Sequence, residues 1–351
     1  MTEIDQIHSS RDAARAALQE ALTEIKRVIV GQDAMLERLL VSLMAGGHVL
    51  LEGVPGLAKT LTVKTLAAVL GGSYGRIQFT PDLVPADLIG TRVWRPDTGT
   101  FDTELGPVFH NFVLADEINR APAKVQSALL EVMQEEQVTI GGTTYRVPAP
   151  FIVMATQNPI ESEGTYPLPE AQVDRFLMKI IVDYPTPGEE AAVVGRSLGA
   201  PVEVRECLGL ADLERHRGSV ATVAADREII AYAVALADAT RHPSRYGLGD
   251  IAGMIEFGAS PRGPIGVVQA ARVLALLRGR SSVHGQDIRD LAPDVLRHRI
   301  VPSYDALSDG IAVDELLERI LAAVPVPGSD RLIREADRTP RPVRSGEARA
   351  S

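Results

Sequence analysis

The residues with the clearest chemical potential are Gly53-Val54-Pro55-Gly56-Leu57-Ala58-Lys59-Thr60. Glycines let backbone N–H groups turn inward onto an anion, and a helix N-terminus behind them adds partial positive charge. In such a loop Lys59 reaches the β- and γ-phosphates, and the Thr60 hydroxyl serves Mg2+. The usual pattern has glycine just before the lysine, and here that residue is Ala58. A glycine-rich turn ending in Lys-Thr is also what a plain strand-to-helix turn looks like.

Other candidates lie downstream. Asp116 and Glu117 close the apolar run Phe112-Val113-Leu114-Ala115. Ligands of parallel sheets bind beyond the carboxyl ends of strands, so this pair falls where a phosphate-bound Mg2+ would sit. A cap on the following helix accounts for one acid but not for two. Asn158 follows a second apolar run, Phe151 to Ala155. Its amide suits orienting a water or touching a γ-phosphate, although Asn158-Pro159 alone is an ordinary turn. Arg175 precedes a further apolar stretch, and for an average arginine a surface pair with Asp174 or Glu170 is the ordinary reading. Arg262 falls in the first turn of a helix opened by Ser260 and Pro261, where a cation opposes the helix dipole.

These groups need elements to hold them. His48-Val49-Leu50-Leu51 reads as a strand before the phosphate loop, and Leu61, Leu66 and Leu70 read as the helix after it. Further strands are expected at 76–79, 112–117, 151–155 and 176–182. Residues 1–27 carry Ala13, Ala14, Ala17, Leu18, Leu22 and Ile25 at helical spacing. Val28-Ile29-Val30-Gly31-Gln32 then suits either a cap on an adenine ring or a helix C-cap glycine before a second helix. Two hairpins are expected, one turning at Pro96-Asp97-Thr98-Gly99 and one at Gly141-Gly142. Trp94, the only tryptophan, is read as core packing or as a contact residue near a loop tip. A helix from about Pro122 carries Val125, Leu129 and Met133. Prolines 185 and 187 mark a linker, after which helical periodicity prevails at 188–199, 226–240, 261–279 and 310–323.

Composition narrows the class. The chain has 351 residues, of which 45% are hydrophobic and 23% charged. That suggests a globular protein with more than one domain. No apolar run is long enough to cross a bilayer, the N-terminus is not a signal peptide, and Cys207 is the single cysteine. A cytoplasmic protein without direct membrane insertion is expected. The net charge of -10 argues against nonspecific nucleic-acid binding. The seven histidines show no paired metal-ligand spacing, so no protein-built metal site is expected.

Five stretches in order, GVPGLAKT (53–60), LADEINRAPAKVQSALLEVMQE (114–135), ATQNPIESEGTYPLPEAQVDRFLMKI (155–180), GASPRGP (258–264) and LAPDVLRHRI (291–300), resemble the MoxR group of AAA+ ATPases. The likeness runs from about Val28 to Pro327. Ala before the lysine is that group's own pattern. The resemblance implies an α/β fold, a P-loop αβα core with a parallel sheet over residues 1–185 and a small all-helical lid over 186–327. Residues 328–351 are expected to form a disordered tail. It further implies ATP and Mg2+ bound by Gly31, Gln32, Gly53, Val54, Pro55, Gly56, Leu57, Ala58, Lys59, Thr60, Leu61, Asp116, Asn158 and Arg262, with Thr60 and Asp116 toward the metal. Glu117 matches the base that orients water, Lys59 the phosphate lysine, Asn158 sensor 1, Arg175 the arginine finger entering a neighbour's site, and Arg262 sensor 2. Arg120 has no assigned role. Implied partners are other copies in a ring, expected to be a hexamer, a von Willebrand factor A domain protein, and a client protein that the ring remodels. The competing readings are a nucleic-acid motor or loader, a small-molecule kinase, and a nucleotide-binding structural module.

Overall fold

The computed structural model describes residues 3–159, 164–200 and 202–327. The expected disordered tail, and Ile160 to Glu163 of the third quoted stretch, lie outside the described residues.

In chain order the first part holds α1 (Glu3–Lys26), α2 (Asp33–Ala45), β1 (Val49–Glu52), α3 (Lys59–Val69), β2 (Tyr74–Gln78), α4 (Pro85–Ile89), β3 (Gly90–Arg95), β4 (Thr100–Leu105) and β5 (Phe112–Asp116). It continues with α5 (Ala123–Glu135), β6 (Gln137–Ile140), β7 (Thr143–Arg146), β8 (Ile152–Gln157), α6 (Glu170–Val173) and β9 (Met178–Ile181). The second part holds α7 (Pro187–Ser197), α8 (Leu210–Val220), α9 (Arg227–Arg241), β10 (Ile255–Phe257), α10 (Arg262–Leu277), α11 (Gly285–Leu296), β11 (Val301–Pro302), α12 (Tyr304–Ser308) and α13 (Val313–Ala323).

The sheet has five strands in the order β2-β5-β8-β1-β9, and every neighbouring pair is parallel. Strand side chains alternate between faces, so each apolar run feeds two cores. Val49, Leu51, Phe112, Leu114, Ile152 and Met154 pack in one cluster with α1, α2, α3 and the lid helices. Leu50, Val113, Ala115, Val153 and Ala155 pack in another with Leu129 and Met133 of α5. These runs lack polar alternation because both faces are covered. The result is an αβα core followed by a helical lid. The first cluster continues without a break through α9, α10, α11 and α13.

α1 buries Ala14, Leu18, Ala21 and Ile25 along one stripe. It ends at Lys26, and Arg196 of α7 donates to the carbonyls of Lys26 and Arg27, at 3.3 and 2.7 Å. Gly31 therefore is not the C-cap of α1. It takes a positive φ of 63° in the turn before α2. The Gly141-Gly142 turn takes φ of 57° and 87°, the pair of positive values that a two-residue hairpin turn demands.

Trp94 is not core. It stands 49% exposed on the β3–β4 hairpin, opposite Phe101 in register, with ring centroids 5.0 Å apart. The guanidinium of Arg92 lies 5.0 Å from the Phe101 ring centre. The lid is not wholly helical. β10 and β11 form a small antiparallel pair. Three residues facing two are too few to show a strand period, and Pro302 argues against a strand on sequence grounds. α8 and α11 also went unmarked by periodicity.

Candidate nucleotide site

β1 ends at Glu52, and the chain then passes Val182. A Cβ on Gly53 would stand 2.6 Å from the Val182 carbonyl oxygen, so only glycine fits. The loop turns through Gly56 at φ 88° and Ala58 at φ 56°, ψ 17°. A left-handed alanine costs about 1–2 kcal/mol relative to a right-handed one. The strain aims the N-terminus of α3 at the loop's concavity. Thr62 Oγ1 donates to the Ala58 carbonyl at 3.0 Å, tying that turn to the helix.

Pro55, Gly56, Leu57, Ala58, Lys59, Thr60 and Leu61 line one side of a cleft of about 340 Å3, and Asp116, Glu117, Thr156, Gln157 and Asn158 line the other. Lys59 Nζ donates to the Gly53 carbonyl at 2.5 Å. Burial pulls its ammonium below the usual lysine range, while Asp116, Glu117 and Glu52 oppose that shift. Asp116 accepts from Thr156 Oγ1 at 2.7 Å, and the same hydroxyl accepts from the Glu117 N–H at 2.8 Å. Glu117 itself takes φ 56°, ψ 50°, a strained conformation that turns the chain sharply after β5. Its side chain caps no helix.

The donor set suits a hydrated hard cation on phosphates. A hydroxyl at Thr60 and a carboxylate at Asp116 are oxygen ligands, and Mg2+ is commonly held by one or two carboxylates plus phosphates and water. The loop amides and Lys59 supply the complementary charge for polyphosphate.

Gly31 and Gln32 do not line this cleft. They abut the segment that follows β9: Gln32 Nε2 donates to the Asp183 carbonyl at 2.9 Å, and Gly31 packs against the Glu189 carboxylate. Through Val182 that segment also touches Gly53. Val54 packs against the first core cluster.

Arg175 and Arg262 lie elsewhere. They share a second cleft of about 270 Å3 with Gly46, Gly47, His48, Gln134, Asp174, Gln269 and Arg299. That cleft opens at the amino ends of β1 and β9, opposite the phosphate loop. Arg175 does not pair with Asp174 or Glu170 there, since its Nη1 donates to the Leu130 carbonyl at 2.6 Å. Asp174 instead pairs with Arg299 Nε at 2.8 Å and accepts from Ser260 Oγ at 2.9 Å, with Arg262 Nη1 at 3.9 Å. Ser260 Oγ also accepts from the Arg262 N–H at 3.1 Å, so Ser260 serves the helix start although Pro261 holds the cap position. Burial draws the Arg299 guanidinium down to about 10 against the pull of Asp174. His48 is buried and neutral, its pKa lowered to about 4 by desolvation; Nε2–H donates to the Met133 carbonyl and Nδ1 accepts from the Val153 N–H.

Four residues that line the first cleft or contact its acids carry no mark or no role in the sequence reading. Thr156 joins Asp116 to Glu117. Arg76 and Gln78 reach the two acids from β2, and Arg120 Nε lies 3.2 Å from Glu117 Oε2. The available signal was the polar face Arg76/Gln78 on a strand ending beside Asp116.

A parallel sheet in this order, a phosphate loop after its fourth strand in space, paired acids on its second and a helical lid define an AAA+ ATPase. The family model described as "ATPase family associated with various cellular activities (AAA)" matches residues 48–178, and the AAA lid domain model matches 250–320. Chaperone MoxR1 of Mycobacterium tuberculosis is 54% identical over 95% of this chain and 88% of its own length. Protein MoxR of Paracoccus denitrificans is 34% identical over 90% of this chain and 97% of its own. A solved structure of a candidate ATPase from Cytophaga hutchinsonii superposes with a TM-score of 0.88 at 46% identity, covering 93% of this chain and 99% of that one. The chain belongs to the MoxR group of AAA+ ATPases. Among the described residues no helix is long and apolar enough to cross a membrane.

Proposed function

We propose that this protein hydrolyses ATP with Mg2+ at a site completed between neighbouring subunits of a ring, and that the cycle remodels a client protein. One observation carries the reading. The phosphate-binding groups and the arginines lie at opposite ends of the same strands. β1 with its flanking residues spans about 16 Å at roughly 3.3 Å per residue, so Arg175 and Arg262 serve a γ-phosphate best in another copy. Arg262, the sensor 2 candidate, therefore acts beside Arg175 in the neighbour's site.

In this reading Lys59 and the backbone N–H groups from Gly56 to Leu61 hold the β- and γ-phosphates, with Gly53 and Pro55 shaping the loop, and Gly31, Gln32 and Val54 form the adenine side. Thr60 and Asp116 would hold the metal, which would supply positive charge to the phosphates. Glu117 orients the attacking water, and Asn158 holds it or a γ-oxygen. Phosphoryl transfer passes through a loose transition state, so placement and charge do most of the work. Client remodelling follows from the chaperone relative. A hexameric ring, a von Willebrand factor A domain partner and a cytoplasmic setting follow from the family resemblance. The acidic net charge weighs against a nucleic-acid motor.

The test is ATP turnover per subunit across protein concentrations, for wild type and Arg175→Ala. Turnover should climb with concentration in wild type and stay near background in the variant. Turnover that is flat with concentration and survives the substitution would overturn the shared site.

A further inference from the structure

Both acids of the first cleft are held by a chain of side chains from the edge strand β2. Arg76 and Gln78 are two residues apart, so they project from one face of that strand. Arg76 grips Asp116 Oδ2 with two nitrogens, Nη2 at 2.7 Å and Nε at 3.2 Å. Arg76 Nη2 also donates to Gln78 Oε1 at 2.5 Å, and Gln78 Nε2 donates to Glu117 Oε2 at 2.9 Å. On the far side Thr156 closes the loop by bonding Asp116 Oδ1 and the Glu117 amide. The hydroxyl of Thr156 brings no net charge to Asp116. The guanidinium of Arg76 brings a full one.

We infer that Arg76 is a tethered cation that competes with the divalent metal for Asp116. This rests on the reading of Asp116 as the metal-side carboxylate. A metal approaching Asp116 from the Thr60 side meets a carboxylate whose charge is already answered, with a like charge on Oδ2. Arg76 must then swing away or the metal binds weakly. It is placed to swing. Among the described residues β2 has a single neighbour in the sheet, and nearly half of the Arg76 side chain surface is exposed. Because the same nitrogen holds Gln78, departure of Arg76 also loosens the hold of Gln78 on Glu117. Arg76 is thus a positioning residue that sets how much metal is needed before Asp116 is released and the hold of Gln78 on Glu117 loosens, while Arg120 stays 3.2 Å from Glu117 Oε2.

The experiment is titration of the full chain with Mn2+ in the presence of ADP, followed by electron paramagnetic resonance, for wild type, Arg76→Gln, Arg76→Ala and Asp116→Asn. Exposed ion pairs have modest worth, so loss of Arg76 should tighten Mn2+ binding roughly two- to fivefold. A merely structural arginine would give unchanged or weaker binding when removed. Thermal melting provides the second reading: the rise in midpoint on adding Mn2+ and ADP should be larger in both Arg76 variants than in wild type. Equal or weaker Mn2+ binding in both Arg76 variants overturns the competition. Asp116→Asn should weaken Mn2+ binding, and if it binds as tightly as wild type the metal reading of Asp116 falls, and the competition with it. The two failures are distinct, because the second is read without touching Arg76.

Discussion

At the carboxyl ends of β1, β5 and β8 the sheet presents Lys59, Asp116, Glu117 and Asn158, whereas at the amino ends of β1 and β9 it presents Arg175, Arg262 and the buried Arg299. The first end is built by backbone strain: a left-handed Ala58, a left-handed Glu117 and a glycine that no side chain could replace. The second is built by buried charge, with Asp174 gathering Arg299, Ser260 and Arg262 into one junction between core and lid. Strain suits a surface that must fit a ligand closely. A buried ion junction suits a surface that must hold two parts of the chain at a fixed angle while presenting arginines outward.

If the two ends belong to one reaction, Lys59→Ala and Arg175→Ala should each be inactive alone. A trans arginine is worth roughly 10³–10⁵ in rate. Mixed together, the two variants should regain turnover, because about one interface in four of a randomly mixed ring joins an intact loop to an intact arginine. Mixing that restores nothing breaks the comparison. At the first end alone, Glu117→Gln should lower turnover by about 10²–10⁴ while ATP still binds, measured by nucleotide affinity beside rate.

The second end should fail by unfolding. Arg299 has only 3% of its side chain exposed, and removing it takes from Asp174 its nearest cation, leaving Ser260 and the more distant Arg262. Arg299→Met should cost about 3–5 kcal/mol in urea unfolding. His48 sharpens the same point through pH. Its folded pKa of about 4 lies below the ordinary imidazole value of 6.5, so the unfolded chain takes up the proton first. Stability is therefore intact above pH 6.5 and falls as pH drops toward 4, by up to about 3 kcal/mol from this residue. His48→Gln should flatten that slope without abolishing it, because burial also lowers His298 and His216. The smallest effect is expected back at the loop. Ala58→Gly relieves a positive φ and should stabilise the protein by about 0.5–1 kcal/mol, with turnover nearly unchanged.

Much of the first end was legible because its chemistry is contiguous. Gly53 to Thr60, Asp116-Glu117 and Asn158 each sit directly after an apolar run, and parallel-sheet topology sends all those ends to one edge. Arg76, Gln78 and Thr156 were harder. Each is an ordinary strand residue until the register pairs Gln78 with Asp116 and brings β8 beside β5. The Asp174–Arg299 pair spans 125 positions, and no local pattern marks it. The end of the sheet that Arg262 faces is hidden for the same reason: a motif gives the residue, and only the packing of α10 gives its place. Trp94 stands outside the core because, among the described residues, β3 and β4 pair only with each other and give its ring no layer to enter.

That hairpin has a practical consequence. With one tryptophan in the whole chain, intrinsic indole emission reports a single place. An indole already half in water changes little when the core melts, so its fluorescence is a poor gauge of unfolding. Any shift on adding nucleotide or a partner, however, originates at the β3–β4 hairpin, and the unmodified protein carries its own probe of whether that hairpin takes part in the cycle.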